Sequence, residues 1–204
     1  MDFAALGLTL RLASLTTILL LLLGAPLAAW IAGGNTLPRR IIQAAVALPL
    51  VLPPTVLGFY LLVGLGPATA LGRTLIALIG HPLAFTFSGL LVGSMIYSLP
   101  FAVQPLVVAF SSIERPTLEV ASVLGASPWT VFRRITLPLS RMSFITAAVL
   151  TFAHTLGEFG VVLMVGGDIP GVTRTLSISI FDDVQELRYT DANLPPPHSS
   201  HSHS

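Results

Sequence analysis

Two ionisable residues stand inside a hydrophobic stretch, where they could do chemistry. His154 and Glu158 are four residues apart, so on a continuous helix they would share one face. Ionisable groups at membrane depth are costly and are therefore functional candidates. The pair could relay protons. Alternatively, it could form a hydrogen-bonded pair near a helix end that fixes packing or lines a pore.

A second candidate follows the polar turn 166–171. Arg174 lies between the hydroxyl residues Thr173 and Thr175. A guanidinium group pairs well with oxyanions, so this triplet could meet an anionic ligand. An ion pair between Arg174 and Asp168 within the same loop is the alternative, and the sequence leaves both possibilities open.

The sequence lacks the residues that several kinds of chemistry require. The chain has no cysteine, which excludes thiol catalysis and zinc–thiolate sites. The stretch 154–158, HTLGE, is not the H-E-x-x-H arrangement of metalloproteases, and no G-x-S-x-G element supports a hydrolase. A G-x-x-x-x-G-K-S/T phosphate loop is also absent, because the chain contains no lysine. We therefore expect no catalytic residue, no metal and no cofactor, and no ATP hydrolysis by that route.

Composition defines the solvent in which these residues must work. Of the 204 residues, 53% are hydrophobic and only 9% are charged, whereas a soluble domain carries about 25% charged residues. The net charge of +1 gives no case for nucleic acid. Four apolar stretches are long enough to span a bilayer, at 6–31, 41–65, 84–110 and 144–165. The sequence predicts an all-α membrane protein with a second span kinked by prolines.

One polar-rich segment, 114–138, separates the last two spans, and we call it the polar segment. Pro116 suits the first turn of a helix, and Gly125 should end or bend that helix. Ser127 and Pro128 then read as the N-cap and first position of another. Apolar residues recur at helical spacing on both sides of the glycine: Leu118, Ala121, Leu124, Trp129, Phe132 and Ile135. The segment is predicted to form two short amphipathic helices that lie against the bilayer and meet another protein.

The polar segment resembles the E-A-A, G, I-x-L-P motif of membrane subunits of bacterial ATP-binding-cassette importers. The residues that match in type and spacing are Glu119, Ala121, Gly125, Ile135, Leu137 and Pro138. Val120 departs from the usual alanine. The resemblance implies a type I helical bundle whose cytoplasmic coupling helix docks on a separate ATPase subunit through these six residues. An ordinary interfacial hairpin is the alternative.

Three further stretches resemble the molybdate and sulfate permease group: LPLVLPP at 48–54, GEFG at 157–160 and IPGVTRT at 169–175. This implies an oxyanion importer, for molybdate or tungstate, with sulfate or thiosulfate as the alternative. The implied translocation or gate residues are Glu158, Thr173, Arg174 and Thr175. The implied partners are a second copy of the chain, ATPase subunits and an extracytoplasmic oxyanion-binding protein, at the bacterial inner membrane.

The arginines provide a check on topology. Placing the polar segment in the cytoplasm puts six arginines inside and four outside or at that edge, which agrees in sign with the positive-inside rule. Three other functions compete: a proton-coupled carrier using His154 and Glu158, an intramembrane hydrolase, and a scaffold that does not transport.

The resemblance extends over residues 6–193, and we assign residues 1–193 to one transmembrane permease domain. Residues 194–204 are rich in proline, serine and histidine and are predicted to be a disordered tail. The family has a further spanning helix at this point, so we expect the chain to lack it. The tail histidines could bind a metal weakly, although an inert tail is the favoured interpretation.

Overall fold

The computed structural model describes residues 2–192, and every regular element in that range is helical. The helices are α1 Phe3–Ala32, α2 Leu37–Val51, α3 Pro54–Leu65, α4 Ala70–Ile79, α5 Phe87–Ser111, α6 Arg115–Val123, α7 Pro128–Val131, α8 Leu137–Leu139, α9 Arg141–Gly157, α10 Gly160–Gly166 and α11 Leu176–Ala192. A π-helical turn, Phe132–Thr136, joins α7 to α8. The predicted all-α fold is confirmed.

Helices α1, α5 and α9 form the centre of the bundle. Leu12 clusters with Leu90, and Gly24 lies against Val103, so α1 and α5 run in the same direction. The ring centroids of Phe110 and Phe144 are 6.0 Å apart, which places the end of α5 beside the start of α9. These two helices are therefore antiparallel.

The spans differ in regularity. Helix α1 has 30 residues, about 45 Å long, and α5 has 25, so each can cross a membrane unbroken. Two bent pairs raise the number of candidate spans in the described range to four: α2 with α3, at 115°, and Pro128–Leu139 with α9, at 74°. The first break follows Val51, at Pro53 and Pro54, where the prolines were predicted to kink the second span.

The predicted fourth span, 144–165, is wrong as a continuous helix. Helix α9 ends at Gly157, Glu158 is extended with φ −66° and ψ 130°, and a new helix begins at Gly160. The sequence analysis also assigned no helix where α11 lies. The expectations for residues 194–204, a disordered tail in place of a last spanning helix, fall outside the described residues.

The connection after α1 and the loop before α11 lie at opposite ends of the bundle. Asn35, which follows α1, and Leu118 of the polar segment line the same cavity. At the other end, Arg11 and Gly171 line a common pocket. The connection after α1 and the polar segment therefore lie together, opposite the loop that contains Arg174.

Candidate functional site

The polar segment turns sharply at Gly125. This residue has φ +82°, a backbone conformation that glycine adopts readily and other residues avoid. The turn is closed by the Ala126 N–H, which donates to the Ala121 carbonyl at 3.0 Å. Ser127 then caps α7 by accepting from the Thr130 N–H at 3.2 Å, with Pro128 at the first position. The predicted glycine bend and N-cap are confirmed.

Three large apolar side chains project from this turn: Val120, Val123 and Leu124, which we call the apolar tip. Val123 is 87% exposed and Leu124 is 81% exposed. Of the predicted apolar stripe, Leu124 is exposed, whereas Leu118 and Ala121 are half-buried. A contiguous exposed apolar patch at the end of a bundle is typical of a protein-binding surface.

A cavity of about 550 Å³ separates α6 from the bundle. It is lined by Leu118 from α6 and by Phe110 and Ile113 from the end of α5. Phe132 closes it on the far side, with its ring centroid 6.3 Å from that of Phe110. Phe132 and the end of α5 thus border the same cavity, on the side away from the apolar tip.

The six motif residues are spread along this segment. Glu119 lies in α6, although its side chain is outside what the structure describes. Ile135 is half-buried in the π-helical turn, and Leu137 and Pro138 are exposed in α8. The wider turn comes directly before Pro138, which has no N–H to continue an α-helical ladder. The sequence analysis did not predict this turn, and Pro138 was the available signal.

The helix break at Gly157 separates Glu158 from His154. Because Glu158 is extended, the two residues do not share the helix face that their spacing predicted. Glu158 is 4% exposed, and its carboxylate lies beside the Ser94 hydroxyl without a hydrogen bond of ordinary geometry to any described residue. Its backbone carbonyl accepts from the Ser177 hydroxyl at 2.6 Å. This bond attaches the break to α11.

His154 is held by helix α5 instead of by Glu158. Its Nδ1 lies 2.9 Å from the Ser98 hydroxyl oxygen. Its ring stacks on Phe101, with centroids 4.0 Å apart, and lies 4.7 Å from the ring of Tyr97. The structure therefore favours a packing role for His154 over a direct relay to Glu158.

Hydroxyl groups line the same interior. Within the described part of the chain, five buried residues on the spanning helices and at the Glu158 break have side-chain polar atoms without a partner. We call them the interior polar residues: Thr16, Thr17, Ser94, Thr151 and Glu158. Each unpartnered buried polar group costs about 1–3 kcal/mol, so such a set calls for an explanation beyond packing. Of these residues, the sequence analysis singled out only Glu158. The threonines gave a weak signal, as hydroxyls within apolar runs.

In the loop before α11, the hydroxyl groups of Thr173 and Thr175 form hydrogen bonds within the protein. Thr173 is fully buried, and its hydroxyl donates to the Gly166 carbonyl at 2.7 Å and accepts from the Ile169 N–H at 3.2 Å. The Thr175 hydroxyl lies 2.9 Å from that of Ser177. These contacts hold the loop in shape and place Arg174 at its surface.

Arg174 is engaged by carboxylates. Its Nε and Nη2 donate to the two carboxylate oxygens of Asp168, at 2.5 and 2.7 Å, and Asp182 lies 3.9 Å away. The hydrogen bond from Arg174 lowers the pKa of Asp168 below its ordinary value. The pKa of Asp182 is raised by burial and then by the negative charge of Asp168. The ion pair left open by the sequence is therefore present.

Comparisons with known proteins agree with this architecture. Residues 11–188 match a family model described as the binding-protein-dependent transport system inner membrane component. A molybdenum transport system permease protein of Azotobacter vinelandii is 56% identical over 192 residues, covering 94% of this chain and 85% of that protein. The corresponding protein of Escherichia coli K12 is 34% identical, covering 90% and 80%. A probable sulfate transport system permease protein of Chlorella vulgaris is 32% identical, covering 76% and 58%.

Proposed function

Since the chain belongs to the family of binding-protein-dependent transport system inner membrane components, we propose that it is the membrane-spanning permease subunit of an ATP-driven molybdate importer. Membership confirms the predicted family and the type I permease fold. Molybdate is favoured because relatives at 56% and 34% identity are named for molybdenum transport. Sulfate is the second candidate, since a relative named for sulfate transport is 32% identical.

The observation that carries this proposal is the apolar tip. The residues that match the importer motif lie on both sides of a turn at one end of the bundle. At this turn the apolar side chains of Val123 and Leu124 are almost fully exposed. In water these side chains gain by entering a pocket on another protein. We propose that they dock on an ATP-binding-cassette ATPase subunit, and that closure of that subunit moves α6 over the cavity beneath it.

One copy of this bundle has too few spans to enclose a pathway, so we propose that two copies assemble in the bacterial inner membrane. An extracytoplasmic binding protein would deliver the oxyanion to the loop that contains Arg174. There the anion would displace Asp168 as the partner of the guanidinium, since both are oxyanions. Farther in, the interior polar residues offer hydroxyl donors along the route. Thr173 and Thr175 serve this site by shaping the loop.

A proton-coupled carrier is the competing mechanism. It would use His154 and Glu158, and it predicts transport by this chain without nucleotide. The hydrogen bond between Ser98 and His154 and the helix break before Glu158 weigh against a direct proton transfer from His154 to Glu158. Dependence of uptake on a working ATPase subunit separates the two mechanisms.

Docking is tested with two matched variants. Leu124→Asp places a charge on the apolar tip, and Leu78→Asp places one on α4, where Leu78 is similarly exposed (78%) on a helix that packs on α3. We expect Leu124→Asp to abolish co-purification of the co-expressed ATPase subunit, and Leu78→Asp to leave it unchanged. Equal co-purification with both variants would refute docking through the tip.

Substrate is tested by uptake of radiolabelled molybdate in cells from which the gene has been deleted and then restored. We expect the restored gene to recover uptake, with unlabelled tungstate competing better than unlabelled sulfate. Recovery of sulfate uptake alone would transfer the assignment to sulfate. Recovery with a catalytically dead ATPase would support the carrier.

A further inference from the structure

An apolar groove of about 540 Å³ runs between α1 and the segment Pro128–Leu139. Leu22 and Pro26 form the wall on α1, and both are exposed on a helix long enough to span a bilayer. Trp129 and Leu137 form the opposite rim, while Phe132 lies at the base. The groove therefore opens on a surface that an apolar solvent would cover.

Basic residues adjoin this groove along the chain. Arg133 and Arg134 directly follow Phe132, which lines the groove, and Arg141 follows Leu137 by four residues. Arg133, Arg134 and Arg141 are exposed, and they form no ion pair among the side chains that the structure describes, which do not include that of Glu119. An apolar groove with exposed guanidinium groups next to its lining in the chain is complementary to a molecule with an apolar chain and an anionic head.

The orientation of the segment fits the membrane surface. Pro128–Leu139 makes an angle of 74° with α9, so it lies across the direction of that span. Trp129 is 67% exposed at its start, and tryptophan favours the interface between lipid and water. A short amphipathic segment with arginine and tryptophan on one face is typical of contact with anionic lipid.

We propose that this groove binds an anionic phospholipid, with an acyl chain between α1 and Phe132 and the phosphate paired with Arg133. The proposal rests on the proposed function only for the placement of the chain in a membrane. Phe132 lines both this groove and the cavity beneath α6. A lipid bound here would therefore touch a residue that also lines the cavity beneath α6.

The test uses the fluorescence of Trp129. The chain has two tryptophans, and Trp30→Phe leaves Trp129 as the only one while keeping an aromatic ring beside Arg39. The full chain is reconstituted in phosphatidylcholine vesicles that contain a minor fraction of brominated lipid, either phosphatidylglycerol or phosphatidylcholine. Bromine quenches tryptophan on contact, so quenching reports which lipid occupies the groove.

We expect brominated phosphatidylglycerol to quench Trp129 more strongly than its share of the bilayer predicts, and brominated phosphatidylcholine in proportion to its share. Arg133→Gln should reduce the preference for the anionic lipid about fivefold, the effect typical of one basic residue at an anionic surface. Arg133→Lys should retain most of the preference. Arg73→Gln, an exposed arginine on α4, is the control and should change nothing.

Equal quenching by the two lipids would overturn the proposal, as would a preference that survives Arg133→Gln. Absence of quenching by either lipid would also overturn it, because a second copy or a partner protein would then cover the groove. The experiment contains neither ATPase nor oxyanion. Failure of docking at the apolar tip would therefore leave its result unaffected.

Discussion

Replacing Gly125 by alanine tests whether the geometry of the turn, and not only its apolar side chains, is needed for docking. Gly125 has φ +82°, and an added Cβ would meet no atom within 4 Å. The substitution therefore introduces backbone strain without a steric clash. A non-glycine residue in the left-handed region costs about 1–2 kcal/mol. If the strained turn relaxes to another conformation, this strain lowers the population of the docking-competent conformation by about 5- to 30-fold.

The assay measures the apparent dissociation constant of the ATPase subunit for the permease in lipid nanodiscs. Gly125→Ala should weaken binding within that range, and Gly125→Asn should weaken it less, because asparagine tolerates the left-handed region better. Gly171→Ala is the matched control. Gly171 has φ +74° and equally open space, but it lies in the loop at the opposite end of the bundle.

The reasoning would be refuted if Gly125→Ala bound the ATPase as tightly as the parent chain while its fold was unchanged. Equal weakening by Gly171→Ala would also contradict it, because the effect would then reflect general destabilisation. The side-chain variant Leu124→Asp remains informative in either case, since it alters the apolar tip without changing the backbone angle.

Two other residues give predictions at the outer loop and within the bundle. Asp168→Asn removes the carboxylate that engages Arg174, so it should lower the KM for molybdate uptake by up to about fivefold; an unchanged KM would argue against Arg174 as an oxyanion contact. Because the folded-state pKa of Asp168 is lowered, the stability that this pair gives the loop is present above the ordinary aspartate pKa and is lost as pH falls through the lowered value. The protection factors of the loop amides, which correct for the slower intrinsic exchange in acid, should therefore fall in acid in the parent chain but not in Asp168→Asn. Gly58→Ala would bring a Cβ to 2.7 Å from the Met164 Cβ, which should destabilise the contact of α3 with α10 by about 1–3 kcal/mol. In Gly64→Ala, in the same helix, the added Cβ meets no atom within 4 Å, so the melting temperature should stay unchanged or rise slightly. Equal melting temperatures for the two variants would contradict the close packing of α3 on α10.

The sequence by itself determined the class of fold and the local shape of the polar segment. Apolar runs of sufficient length must become helices in a bilayer, because only a helix satisfies its backbone hydrogen bonds within one segment. Gly125, Ser127 and Pro128 determined the turn and the cap, since each acts through its own backbone or its near neighbours. The motif around them identified the family before any contact was known.

The tertiary structure decided which side chains meet. His154 is bonded to Ser98, 56 residues away, and Glu158 turns out of the helix that its spacing suggested. Asp168 and Asp182 both lie near Arg174, because the path of the loop brings the three residues together. Leu124 belongs to an apolar pattern but is exposed, because the bend at Gly125 carries α6 over a cavity. Periodicity predicts the faces of an isolated helix. The partners and the exposure of each side chain, and the apolar groove beside α1, depend on how helices distant in sequence pack.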